Sequence, residues 1–156
     1  MNVYIASDHN GNAARAYVIK ALSRRNDVEI MDLGPHENEG KVDYPDKAAE
    51  VCDHVLVHGY DFPGQFGILI CGTGTGMCIA ANKERGIRAG LATDRATAEL
   101  MREHNDCNVL VLGQWRNSLS QMEDIVNAFL DTPFGQGRHV ARVEKLRRLD
   151  GSSRTR

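Results

Sequence analysis

Residues 67–83 read GILICGTGTGMCIAANK. An apolar run from Ile68 to Ile70 stops at Cys71. Gly72, Gly74 and Gly76 then alternate with Thr73 and Thr75, and a segment of helical composition follows. An unbroken apolar run of this length, bounded by turn residues, fits a strand covered on both faces. A strand feeding a glycine-rich turn and then a helix belongs to an α/β layer architecture. The three glycines permit positive φ and close backbone approach. The amides where the helix begins form an anion cradle. The same glycines also fit a tight turn needed for steric reasons alone. Cys71 has two readings as well. It is a small buried hydrophobe, or a thiolate stabilised by amide donors at a helix start. A thiolate there removes a carbon-bound proton while the amides hold the resulting oxyanion.

Four further apolar runs flank this one: VYIAS at 3–7, VEIMD at 28–32, IRAGLA at 87–92 and NVLVLG at 108–113. Between them lie helical faces. Ala14, Tyr17, Val18, Ala21 and Leu22 recur at i, i+3, i+4, i+7 and i+8. Ala48, Val51, Cys52, Val55 and Leu56 repeat the spacing, as do Leu119, Met122, Ile125, Val126 and Phe129. Pro45 fits a first helical turn. Strands alternating with helices predict βαβ units with right-handed crossovers. The fold expected is a Rossmann-like three-layer α/β/α sandwich around a five-stranded parallel sheet. One basic amphipathic segment, GRHVARVEKLRRL at 137–149, is surplus to that sandwich and carries Val140, Val143 and Leu146 on one side. Such an extra C-terminal helix is suited to packing on a second subunit. Long polar loops are expected at 34–45 and 58–65, a single domain over 1–150, and a disordered tail over 151–156.

The chain has 156 residues, 42% hydrophobic and 26% charged, with a formal net charge of -2. That near-neutral balance gives no global basic field for nucleic acid or a membrane surface. No apolar run reaches the length of a transmembrane helix. The N-terminus MNVYIASDH reads as a first strand rather than a signal peptide. Cys52, Cys71, Cys78 and Cys107 match no CxxC pair or zinc spacing. Reduced thiols in a cytoplasmic protein are therefore expected. Cys52, Cys78 and Cys107 read as packing residues.

Ligands of open α/β sheets bind beyond the carboxyl ends of the strands. Polar residues expected on that rim are Asp8 and His9 after the first strand, Asp43 and Tyr44 in the 34–45 loop, Cys71 with its glycine loop, and His104 and Asn105 in EHND ahead of the last strand. His104 also fits a helix end favoured by the dipole. His54 and His58 share a helix face at i, i+4 but read as a solvated helix end, and His36 has no evident partner. Arg138 and Arg142, one turn apart, either grip a phosphate dianion or belong to a solvated basic face. A nucleotide reading is weak: SDHNGN lacks the GxGxxG spacing, and no Gly-Lys-Ser/Thr follows the glycine loop. A nucleic-acid reading of the basic helix lacks interleaved aromatics.

Taken together, ASDHNG (6–11), VDYPDKA (42–48), GILICGTGTGMCIAANK (67–83), GIRAGL (86–91), REHNDCNVLVLG (102–113) and GQGRHVARV (135–143) resemble the ribose-5-phosphate isomerase B family, which includes galactose-6-phosphate isomerase subunits. The resemblance spans nearly the whole chain. It implies an aldose–ketose isomerase for ribose 5-phosphate and ribulose 5-phosphate, using neither metal nor nucleotide cofactor. It implies Cys71 as the base between C1 and C2, and His104 with Asp8 in ring opening. Thr73 and the amides of Gly72, Gly74, Thr75 and Gly76 would hold the cis-enediolate. Asn105 would bind the sugar or intermediate, with Asp43 and Tyr44 also lining the substrate. His9, Arg138 and Arg142 would bind phosphate. A homodimer or homotetramer with sites at the subunit interface is implied too. Some relatives place a glutamate base where Met77 stands, so here the cysteine route is the one available.

Three departures concern the sugar more than the reaction. DHNG replaces the commoner DHAG, Trp115 in GQWRNS stands where many relatives have arginine with Arg116 one residue on, and the two long loops vary. A tetrose 4-phosphate, allose 6-phosphate or galactose 6-phosphate is the alternative substrate. A phosphate- or nucleotide-binding module without catalysis is the alternative of another class.

Overall fold

The computed structural model describes residues 1–36, 39–59 and 62–151. Positions 37–38 and 60–61 of the two long loops, and 152–156 of the expected tail, lie outside the described residues. Five parallel strands form one sheet in the order β2-β1-β3-β5-β4. They are β1 (Asn2–Ser7), β2 (Glu29–Asp32), β3 (Gln65–Cys71), β4 (Ala89–Leu91) and β5 (Val109–Gly113). The helices are α1 (Asn12–Leu22), α2 (Tyr44–Leu56), α3 (Thr75–Ala81), α4 (Arg95–Asn105), α5 (Leu119–Asp131) and α6 (Arg138–Gly151). The expected sandwich and its extra C-terminal helix are present. α6 includes Asp150 and Gly151, which the sequence reading placed at and beyond the end of the domain.

Strand alternation divides the apolar residues between two cores. Val3, Ile5, Ile68, Ile70, Leu110 and Leu112 pack with α1, α4 and α5. Tyr4, Ala6, Leu69, Cys71, Val109 and Val111 pack with α2 and α3. This is why β3 reads as one unbroken apolar run: all seven of its residues are buried. Each fully buried Ile, Leu or Phe contributes about 1.5–3 kcal/mol of hydrophobic stabilisation. Phe129, Ile5, Leu22, Ile68 and Leu110 are among those that qualify. The outer strands are different. β2 leaves Glu29, Met31 and Asp32 exposed, and β4 is a three-residue edge.

Local chemistry sets the helix starts. Ser118 accepts from the Gln121 amide at 3.3 Å while Gln121 returns a bond to the Ser118 amide at 2.8 Å, a capping box for α5. Asp94 caps α4 by accepting from Thr97 N–H at 2.7 Å, which holds its carboxyl below the usual range. α4 ends at Asp106 in the left-handed conformation, with φ 48°. The Asp106 carboxylate receives Arg102 Nη1 at 2.9 Å and Arg88 Nη2 at 3.0 Å. That clamp fixes the chain reversal into β5 directly after His104 and Asn105.

Candidate active site

The glycine loop turns β3 into α3 at the carboxyl edge of the sheet. Gly74 adopts φ 82°, which disfavours any residue with a Cβ, and precedes the first turn of α3. Its N–H donates to Cys71 Sγ at 3.1 Å. Thr75 N–H donates to Thr73 Oγ1 at 3.4 Å. The Cys71 carbonyl accepts from Gln114 N–H at 2.9 Å, locking the strand end to the turn after β5. A thiolate in this position keeps an amide donor aimed at its charge. The other thiols differ: Cys78 Sγ accepts from Asn82 Nδ2 at 3.6 Å, yet burial outweighs that bond. Burial pushes Cys52 and Cys107 up to about 12, and raises Cys78 as well. They are packing residues.

Asp8 joins this edge. Its N–H donates to the Ile70 carbonyl at 3.1 Å, so it sits beside Cys71. Its carboxylate is buried, accepting Asn10 N–H at 2.9 Å, Gly11 N–H at 3.1 Å and Asn10 Nδ2 at 3.3 Å. The adjoining His9 is exposed, with Nε2 3.3 Å from Asn10 Nδ2. Asp43 stands in an extended conformation at the start of α2 without a side-chain capping bond, and Tyr44 lays its ring over Gly76. Trp115, after β5, lies over Gly72, and Arg116 follows it on the same turn.

His104 and Asn105 do not reach this rim, which corrects the expected convergence. They close α4, and a right-handed βαβ crossover returns the chain to the amino edge before the next strand begins. β5 pairs Val109 with Gly67 at that edge and Gly113 with Cys71 at the other. The strand alone therefore separates the two groups by about 13 Å. His104 instead meets α6. Its ring stacks on His139, centroids 4.3 Å apart and planes within 10°. Gly135 N–H donates to the Glu103 carbonyl at 2.9 Å and ties α6 to α4. Arg138 and Arg142 lie exposed on α6 beside this stack.

His139 is a residue that the sequence reading passed over. It lies between the two arginines in sequence, turned inward where they face outward, 7% exposed, and no sequence spacing distinguished it. Burial, then the charges of His104, Arg138 and Arg142, hold its pKa below the ordinary imidazole value. The buried stripe of α6 is thus His139 and Val143, while Val140 and Leu146, assigned to that face from sequence, are exposed. His54 is engaged locally, its Nδ1 2.9 Å from the Glu50 carbonyl and its ring tilted on Tyr4. The His58 ring lies against Phe62.

Two cavities, of about 410 and 490 Å³, flank α6. Asn105 lines the second, and neither reaches Cys71. One copy of the chain therefore keeps the candidate residues in two separate groups. The carboxyl edge carries Cys71, Thr73, Asp8, His9, Asp43, Tyr44 and the loop amides. The amino edge carries His104, Asn105, Arg138 and Arg142.

Residues 3–146 match the Ribose/Galactose Isomerase family model. A probable ribose-5-phosphate isomerase B of Mycoplasma pneumoniae is 43% identical over 144 residues, covering 92% of this chain and 91% of the relative. Ribose-5-phosphate isomerase B of Escherichia coli is 40% identical, covering 92% of each chain. Among solved structures, ribose-5-phosphate isomerase B from Mycoplasma genitalium with bound ribulose-5-phosphate superposes with a TM-score of 0.90 at 39% identity, covering 97% of both chains. The matched span includes both groups of residues and the connections between them, and the chain belongs to the Ribose/Galactose Isomerase family.

Proposed function

We propose that this chain interconverts ribose 5-phosphate and ribulose 5-phosphate by ring opening and proton transfer through a cis-enediolate. The observation that carries this reading is the Cys71 sulfur, held at a strand end by the Gly74 amide beside Asp8, in a member of this family. The sugar is drawn from relatives named for it, one holding ribulose-5-phosphate. The enzyme works as a homodimer or homotetramer, each site joining the carboxyl edge of one copy to the amino edge of another. Two features support this arrangement. The chemical groups fall on opposite edges of one chain, and Ile79, Leu100, Leu146 and Leu149 stay exposed on α3, α4 and α6. Residues 1–150 form a single isomerase domain. Free thiols at all four cysteines fit a cytoplasmic setting.

In the reaction, His104 of a second copy protonates the ring oxygen as its bond to C1 breaks and Asp8 takes the C1 hydroxyl proton, leaving an aldehyde at C1 and a free hydroxyl at C4. The Cys71 thiolate then takes the proton from C2, and the electron pair forms C1=C2 with negative charge on O1. Thr73 and the loop amides hold that charge. Returning the proton to C1 while the O2 proton moves to O1 leaves the ketone at C2. Every step is a proton transfer, so no redox partner or cofactor is called for. His9, Arg138 and Arg142 hold the phosphate, and Asn105, Asp43 and Tyr44 line the sugar.

Proton exchange at C2 of ribose 5-phosphate in heavy water, followed by NMR, tests the activity. Absence of exchange on four- to six-carbon sugar phosphates would sink it, and exchange confined to another sugar would reassign the substrate. Subunit mixing tests the shared site. Cys71→Ala and His104→Ala proteins are each inactive alone. Unfolded together and refolded as dimers, half of the dimers are mixed and each has one intact site, so about a quarter of wild-type activity returns. No recovery would place both residues in one copy's site.

A further inference from the structure

We infer that Trp115 is a specificity-determining residue whose indole face receives the carbon–hydrogen face of the sugar at the mouth of the Cys71 loop. This rests on the isomerase reading and adds a contact to it. A Cβ built on Gly72 would lie 2.9 Å from both Cη2 and Cζ3 of Trp115 and 3.0 Å from Cζ2. Near-equal distances to three consecutive ring atoms place Gly72 under the face of the ring, not at its edge. Trp115 N–H donates to the Gly72 carbonyl at 2.9 Å, so ring and loop are held together. Yet the residue is 67% exposed, which leaves the opposite ring face open. At the other end of the turn, a Cβ on Gly76 would lie 2.9 Å from Cε2 and Cζ of Tyr44 and 3.3 Å from Cδ2. That ring also presents its face to the loop and is 42% exposed. Cys71 thus begins a turn with an aromatic ring seated at each end.

An aromatic face carries negative quadrupolar charge and attracts the positive edges of polarised C–H bonds. The same face repels a phosphate dianion. A sugar phosphate entering here is therefore oriented, its carbon chain against the indole and its phosphate turned towards cationic side chains. Glycine at 72 lets the indole rest against the loop, since a side chain there would push the ring away.

Trp115 is the chain's single tryptophan, so intrinsic fluorescence reports this contact without labelling. Titration with ribose 5-phosphate should shift or quench the emission to saturation, at a concentration tracking KM. Inorganic phosphate, up to concentrations that inhibit, should leave the emission unchanged. Trp115→Ala should raise KM for ribose 5-phosphate about fivefold, in the range of one lost aromatic contact. Trp115→Phe should restore most of that loss, and neither variant should move phosphate inhibition or the melting temperature. An enzyme active on ribose 5-phosphate with emission indifferent to the sugar overturns the inference. So does equal loss in the alanine and phenylalanine variants. Emission that changes on subunit dissociation, but not with sugar, shows that a second copy covers the ring and likewise overturns it. An enzyme inactive on every sugar phosphate would refute the isomerase reading itself, a separate result.

Discussion

The two edges of the sheet are built from different materials. At the carboxyl edge, backbone amides are aimed at one sulfur and one carboxylate, both nearly enclosed. At the amino edge, imidazoles and guanidinium groups stand on helix surfaces, with His104 half-buried and Arg138 and Arg142 exposed. Fixed dipoles in a protected place suit charge that develops only during reaction. Exposed cationic side chains suit a dianion that arrives already charged. Under the proposed function, proton transfer falls to the carboxyl edge, while His104 and the two arginines of the amino edge serve ring opening and, with His9, the phosphate. One chain cannot bring its own edges together, which is why the proposed function calls for a second copy.

The largest effect should come from the carboxyl edge. Cys71→Ala should lower kcat by about 10³-fold, in the range for loss of a general base. Binding of inorganic phosphate should be largely spared. Near-normal turnover would mean that another group is the base. Asp106→Ala acts next, on the frame of the amino edge. It removes the carboxylate shared by Arg88 and Arg102, whose side chains are only 10% and 9% exposed. Denaturant unfolding should show a loss of about 3 kcal/mol. A negligible loss would show that the clamp is dispensable.

Arg142→Ala should raise KM for the sugar phosphate about tenfold with kcat little changed, as for one charge-assisted bond. An unchanged KM would return Arg142 to a solvated helix face. The smallest effect concerns His139. Burial lowers its folded-state pKa below the ordinary 6.5, so below that pH the unfolded chain binds more protons than the folded one. Its contribution is fully present above 6.5 and is lost as pH falls from there towards the folded value. Thermal melts of His139→Phe between pH 7.5 and 5.5 should therefore fall less steeply than wild type. Parallel curves would mean that His139 titrates alike in both states.

Much of this was legible in the chain. Unbroken apolar strands with amphipathic helices between them fix a parallel layered sheet, because backbone pairing and two-sided burial leave few alternatives. Cys71 and Asp8 could be placed at one rim because each ends a strand, and a strand's end has a defined edge. His104 was misplaced because helix length and crossover direction, not proximity to a strand in sequence, decide which edge a helix end reaches. His139 was invisible because burial of a polar ring depends on what α6 packs against.

The sequence by itself determined the layers, the thiol at a strand end and the chemistry available, since these follow from local composition and spacing. Only the tertiary structure decided that the Cys71 thiol and the His104 imidazole lie on opposite edges, that Gly74 aims its amide at the sulfur, and that Trp115 covers Gly72. Those are relations between segments distant in the chain. They are set by how strands, helices and turns pack, a property that no single stretch carries.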